Sequence, residues 1–267
     1  MINNMDGIKD ETRRKWTRDE LLLAINLYCR LPFGKLHTRN LEIIDLSKYL
    51  NRTPGSVAMK LVNFASLDPS LKARDISGLQ NTSKLDREVW GEVYADWETL
   101  AFESQKAFLK IQSRDKSDRS ISEIGFEAPI GETEADRITK TRLVQGFFRN
   151  TVLASYNNNC CFCSLNIPSL LVASHIIPWK DSKEKRADPT NGLCLCSLHD
   201  KAFDRGFLGV DADYRILVSS SMKKIKSKSK LHTIALVDIE GIEIILPNRF
   251  FPDLSSLEYH REKTFIA

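Results

Sequence analysis

The segment from Asn159 to Gly206 constrains this chain more than any other. It opens with Cys160-Cys161-Phe162-Cys163 and continues through Ala173-Ser174-His175-Ile176-Ile177-Pro178-Trp179. It closes with Asn191-Gly192-Leu193-Cys194-Leu195-Cys196-Ser197-Leu198-His199-Asp200-Lys201-Ala202-Phe203-Asp204. Thiols, imidazoles, a carboxamide and carboxylates therefore crowd into about one supersecondary unit. Such a density of ligand and acid–base groups requires a chemical reason.

The thiols come first. Cys160-x-x-Cys163 and Cys196-x-x-His199 form two knuckle-type pairs, 33 residues apart from Cys163 to Cys196. Together they offer the four soft or borderline ligands of a closed, tetrahedral structural Zn2+ site. Cys161 or Cys194 would also satisfy the spacing, and buried cysteines acting as small apolar fillers are the competing reading. Compartment bears on the choice. Met1 to Lys15 is polar and mixed in charge, unlike a signal peptide, and no run of 18 apolar residues is present to span a membrane. A cytoplasmic location is expected, where thiols stay reduced and the 6 cysteines favour metal over disulfides.

The remaining groups suggest a second centre. Asp200 and Asp204 stand four apart on an expected helix, so both carboxylates face one way. Acceptor-only oxygens so placed suit a hard divalent cation, Mg2+ or Mn2+. His175 ends an apolar run, Leu170 to Ala173, that reads as a strand, and Asn191-Gly192 reads as a hairpin turn. Strand, loop, strand and helix then follow, with the thiol pairs at both ends.

The whole chain is 267 residues long with a formal net charge of +4, which permits an anionic partner without demanding one. Thr17 with Glu20 forms a capping box for a helix carrying Leu21, Ile25 and Tyr28. A second helix has Leu41, Ile44, Leu46 and Leu50. A third is capped by Thr53 with Pro54 in its first turn; it carries Val57, Leu61 and Phe64 on one face and Lys60 and Asn63 on another. The tight Asn51-Arg52-Thr53 turn makes a helix-turn-helix-like unit, against the alternative of a plain three-helix bundle. A long helix is expected from Leu85 to Ile111. Residues 113–136 are charged and serine-rich, then Gly- and Pro-bearing, and read as a linker. A helix resumes from Arg137 to Tyr156. Strands are expected at Tyr214–Val218, Thr233–Val237 and Glu243–Leu246, with a basic loop, Lys223 to Lys230, between the first two, and a short helix at Ser256–Phe265. The fold class is thus α+β: a helical domain (1–112), a linker (113–136) and a mixed domain (137–267).

The Ser-His-Ile-x-Pro-Trp and Asn-Gly-Leu-x-Leu-x-x-x-His-Asp-x-x-Phe-Asp boxes resemble those of HNH, or ββα-metal, endonucleases of the bacterial restriction type. The resemblance covers about residues 140 to 265, including Arg149 and Tyr259-His260-Arg261-Glu262. It implies that His175 is the general base, that Asn191 holds the histidine loop, and that Asp200 and Asp204 bind the catalytic cation. Two departures stand out. Many relatives carry a metal-binding residue where this chain has Ser174, and close relatives often lack equivalents of Cys163 and Cys196.

The N-terminal part is similar to domains that precede HNH modules in restriction enzymes, through Trp16-Thr17, Leu46-Ser47 and Arg52 to Leu61. Such enzymes often cut methylated DNA. Arg52, Ser56, Lys60 and Asn63 are the expected DNA contacts on the third helix, and Lys223, Lys224 and Lys226 those on the basic loop. The expectation is a restriction or phage-defence endonuclease acting on double-stranded DNA as a homodimer, since two cuts need two sites. The rivals are a non-catalytic, zinc-stabilised DNA-binding regulator and a nuclease effector gated by a partner.

Overall fold

A computed structural model describes residues 14–72, 74, 82–115 and 134–266. Most of the expected linker, residues 116–133, lies outside the described residues.

α1 (Arg18–Arg30) starts at the expected capping box, with Thr17 Oγ1 and the Glu20 carboxylate each accepting the other's backbone N–H. It is buried continuously from Glu20 to Cys29. A helix covered on every side is the axis of its unit rather than a surface helix. α2 (Leu41–Tyr49), α3 (Pro54–Ala65), α5 (Lys84–Ala95), α6 (Trp97–Asp115) and α7 (Glu134–Ser155) surround it, and α4 (Pro69–Lys72) is a single turn. α2 turns inward with Ile43 and Leu46, while Leu41, expected on its apolar stripe, is 74% exposed.

The long helix expected from Leu85 to Ile111 is two helices. Asp96 leaves the helical region at φ −148° and its carboxylate accepts from Thr99 N at 3.0 Å and Thr99 Oγ1 at 2.6 Å. A capping side chain at that point offers the backbone a better partner than a continued helix does.

The third helix also departs from expectation. Arg52 is buried, stacked over Trp16 at 4.1 Å and paired with Glu20 at 2.9 Å. Lys60 is buried, with Nζ 2.8 Å from Asp86 Oδ1 and 2.9 Å from Oδ2. Asn63 is buried as well. All three side chains are thus buried rather than exposed; Arg52 ties the turn before α3 to α1 and to the chain entering it, and Lys60 ties α3 to α5. Asp86, which also caps α5 from Ser83, supplied the hidden partner. Of the four expected contacts, Ser56 alone is partly exposed. Lys60→Ala should leave the Asp86 carboxylate buried and uncompensated and cost about 3–5 kcal/mol of stability, measurable by urea unfolding. A loss of less than about 1 kcal/mol would restore Lys60 to the surface.

α7 joins the two halves. Its Val144 and Phe147 belong to the core around α1, whereas Phe148 and Val152 belong to a second core. That second core is built on the antiparallel pair β1 (Leu171–His175) and β2 (Gly192–Cys196), followed by α8 (Ser197–Asp204). A second antiparallel pair follows, β3 (Leu208–Val210) with β4 (Ile216–Val218). Then come α9 (Ser220–Lys224), α10 (Lys230–His232) and α11 (Leu254–Lys263).

Two of the expected strands are absent. Thr233–Val237 forms a π-helical turn continuing the α10 turn capped by Ser229, and Glu243 makes only an isolated bridge to Arg215. The returning chain also docks into the first core. Arg249, fully buried, donates to the carbonyls of Cys29 and Leu31, and Phe250 meets Trp97 edge-on at 5.6 Å. The halves are thus packed through α7 and this loop. No helix among the described residues is long and apolar enough to cross a membrane.

Candidate nuclease site and metal centre

The thiol pairs converge. Ligand atoms of Cys160, Cys163, Cys196 and His199 all lie within 4.8 Å of one another. His199 Nδ1 stands 3.2 Å from Cys196 Sγ and 3.4 Å from Cys160 Sγ. Its Nε2 faces the Ala235 carbonyl at 2.8 Å. A carbonyl only accepts, so Nε2 carries the proton and Nδ1 keeps its lone pair for a metal, the usual way an outer hydrogen bond sets a ligating imidazole. The π-helical turn misread as a strand supplies that carbonyl. This Cys3His set fits a structural metal such as zinc. Cys161 and Cys194, the spacing alternatives, are buried in the second core, where Cys161 N–H donates to the Cys194 carbonyl at 2.8 Å.

Asn191 does not make a hairpin turn. β1 and β2 are joined by a loop from Ile176 to Asn191, with a short helical turn at Pro189–Asn191. The fully buried Asn191 side chain closes that loop from inside. Its Oδ1 accepts from Ile177 N at 2.8 Å, and Nδ2 donates to the carbonyls of Ile177 and Lys185, each at 3.1 Å. Its carbonyl takes the Ile176 N–H at 2.9 Å.

His175 sits at the mouth of this loop. Its Nε2 faces the Arg186 carbonyl at 3.0 Å, again fixing the proton there and leaving Nδ1 as an acceptor. The ring stacks on Phe148 of α7, with centroids 3.8 Å apart and planes at 10°, and Trp179 meets it edge-on at 5.6 Å. Burial lowers its pKa, against the opposing pull of the Arg186 carbonyl.

Successive strand residues face opposite sides. Ser174 accordingly turns to α8, where its buried hydroxyl lies beside the Asp200 carboxylate. Burial pushes Asp200 above the usual carboxylate range; burial and then the Asp200 charge do the same to Asp204. Two carboxyls each held up in this way form an arrangement that a cation would relieve. Among the described residues, neither these two carboxylates nor His175 falls within a cluster of three or more metal-binding side chains. α11 braces α8 from behind. His260, pushed down to about 4 by burial, stacks on Phe203 with centroids 3.7 Å apart and faces its carbonyl through Nε2 at 3.1 Å.

Lys223, Lys224 and Lys226 are exposed around α9, and Lys223 pairs with Glu240. The roles of Phe148, of the Arg186 and Ala235 carbonyls and of the His260 contacts carry no signal in the sequence. Backbone acceptors carry no residue-type signal, and a phenylalanine on an apolar helix stripe is ordinarily core.

With this geometry in place, comparison with known proteins adds a class. Residues 160–211 match the family described as HNH endonuclease. Residues 160–211 thus carry an HNH endonuclease module, within an α+β chain whose N-terminal region is helical. Nothing matches among curated proteins. A solved structure titled "Modification dependent TagI restriction endonuclease" is similar at 20% identity with a TM-score of 0.32, over 43% of this chain. The similar region spans 36% of that protein's length.

Proposed function

We propose that the protein is a metal-dependent DNA endonuclease of restriction or phage-defence type. His175 Nδ1 takes the proton from the attacking water, because Nε2 is committed to the Arg186 carbonyl and burial favours the neutral ring. Asn191 keeps that carbonyl and the His175 loop in register. Asp200 and Asp204 would hold a divalent cation, Mg2+ or Mn2+, which supplies charge stabilisation at the scissile phosphate. Ser174 adds a neutral hydroxyl beside them, so α8 carries most of the charge of that site. Cys160, Cys163, Cys196 and His199 hold structural zinc. Lys223, Lys224 and Lys226 are placed as point charges for phosphates, and Ser56 remains a candidate contact on α3. The observation that carries this reading is the pairing of an Asn191-clamped loop with an imidazole whose free nitrogen is an acceptor, inside the region that matches HNH endonucleases.

The helical region would read the DNA, and a homodimer would cut both strands. Dependence on methylated bases is the finer proposal. Digestion of methylated and unmethylated plasmids with Mg2+, with Mn2+ and with chelator tests both levels. Cleavage that needs a divalent cation is expected, with preference for the methylated plasmid. Equal cutting of the two removes modification dependence, and binding without cutting under any metal leaves the zinc-stabilised regulator.

A further inference from the structure

We infer that Phe148 is a positioning residue for the general base, aimed by α7 from the core of the N-terminal half. The inference rests on the proposed role of His175. The ring of Phe148 lies parallel to that of His175 at 3.8 Å, so rotation of the imidazole out of line with the Arg186 carbonyl would break a full face contact. The contact is tight by construction. Gly192 is paired with His175 across β1 and β2. A Cβ there would stand 2.4 Å from Val152 Cγ2 and 2.9 Å from Phe148 Cζ. Gly192 is thus required by the close seating of α7 on β2, and not by a turn.

The neighbouring residue completes the argument. Phe147 is fully buried in the first core, its ring centroid 6.2 Å from that of Trp97, while Phe148 enters the second. Adjacent positions on one helix therefore fasten it to the N-terminal core and to the base. A shift of α7 on the first core would carry Phe148 with it and misalign His175, and misplacement of about 1 Å costs on the order of 100-fold in rate.

The test uses the full-length, zinc-loaded protein in three forms: wild type, Phe148→Leu and Phe148→Tyr. The first readout is the His175 ring-proton resonance, identified by its loss in His175→Ala. A stacked aromatic shields it, so it should move downfield in Phe148→Leu and return in Phe148→Tyr. The second is plasmid cleavage with Mg2+ or Mn2+, where Phe148→Leu should lower kcat by about 10- to 100-fold with KM unchanged and Phe148→Tyr should restore it. An unmoved resonance in Phe148→Leu overturns the inference, because the stack then does not form. A moved resonance with unchanged kcat overturns it as well, as does a fall that Phe148→Tyr fails to rescue. Wild-type protein that cuts nothing under either metal defeats the nuclease reading itself, a failure distinct from these.

Discussion

His175→Ala is expected to reduce cleavage by roughly 100- to 10,000-fold, the usual worth of a positioned general base, while DNA binding and folding persist. The structural cost should be small. His175 is only partly buried, at the end of β1, and water can replace Nε2 at the Arg186 carbonyl. Asn191 still closes the loop through Ile177 and Lys185. The variant should therefore bind a DNA duplex with wild-type affinity and keep its metal content. Wild-type kcat should rise with pH and level off below the ordinary imidazole range, since burial lowers the His175 pKa and the active form is the neutral one. That rise should disappear in the variant's residual rate. Full activity in His175→Ala would end the proposed mechanism; loss of binding alongside cleavage would mean that the ring is structural.

How much could be read in advance depended on whether the determinants were local. The capping box of Thr17 and Glu20, the cap at Thr53 and the Cys160–Cys163 and Cys196–His199 spacings are local rules, and each is seen as expected. Arg52, Lys60 and Asn63 are buried where exposed DNA contacts were expected, because their placement depended on what packs against them. A lysine between apolar positions looks like a solvated face until a distant aspartate, here Asp86, is packed against it. Thr233–Val237 has a strand-like composition, yet its carbonyls are used for the His199 contact and its own helical turn. Asn191-Gly192 looked like a turn because that dipeptide usually is one. In this chain the asparagine is an internal clamp and the glycine a seat for α7. Long-range packing, and not local preference, set all of these.

Removal of the metal proposed at the Cys3His cluster should have the largest effect on stability. Cys160 follows α7, Cys196 is the N-cap residue of α8, and His199 lies in the first turn of α8. The four ligands therefore fasten α7 to the helix bearing Asp200 and Asp204, and His199 Nε2 adds the Ala235 turn. Zinc binding by small domains is worth about 10–16 kcal/mol, as much as the whole 5–15 kcal/mol stability of an ordinary domain. Loss of the metal should thus unfold the C-terminal half rather than merely lower its melting point. Cys163 is exposed, giving a strong chelator a route to the ion. Cys196→Ser should lower zinc from about one per chain to near none, measured by atomic emission. It should also abolish the cooperative transition of that half and with it cleavage. Part of the helical signal in circular dichroism should survive, because α1 to α6 supply most of the core around α1. The contrast with His175→Ala separates the two centres, since that variant should keep both its zinc and a cooperative transition of the C-terminal half. A metal-free protein melting as wild type does would show that the cluster is a buried thiol group with no metal role.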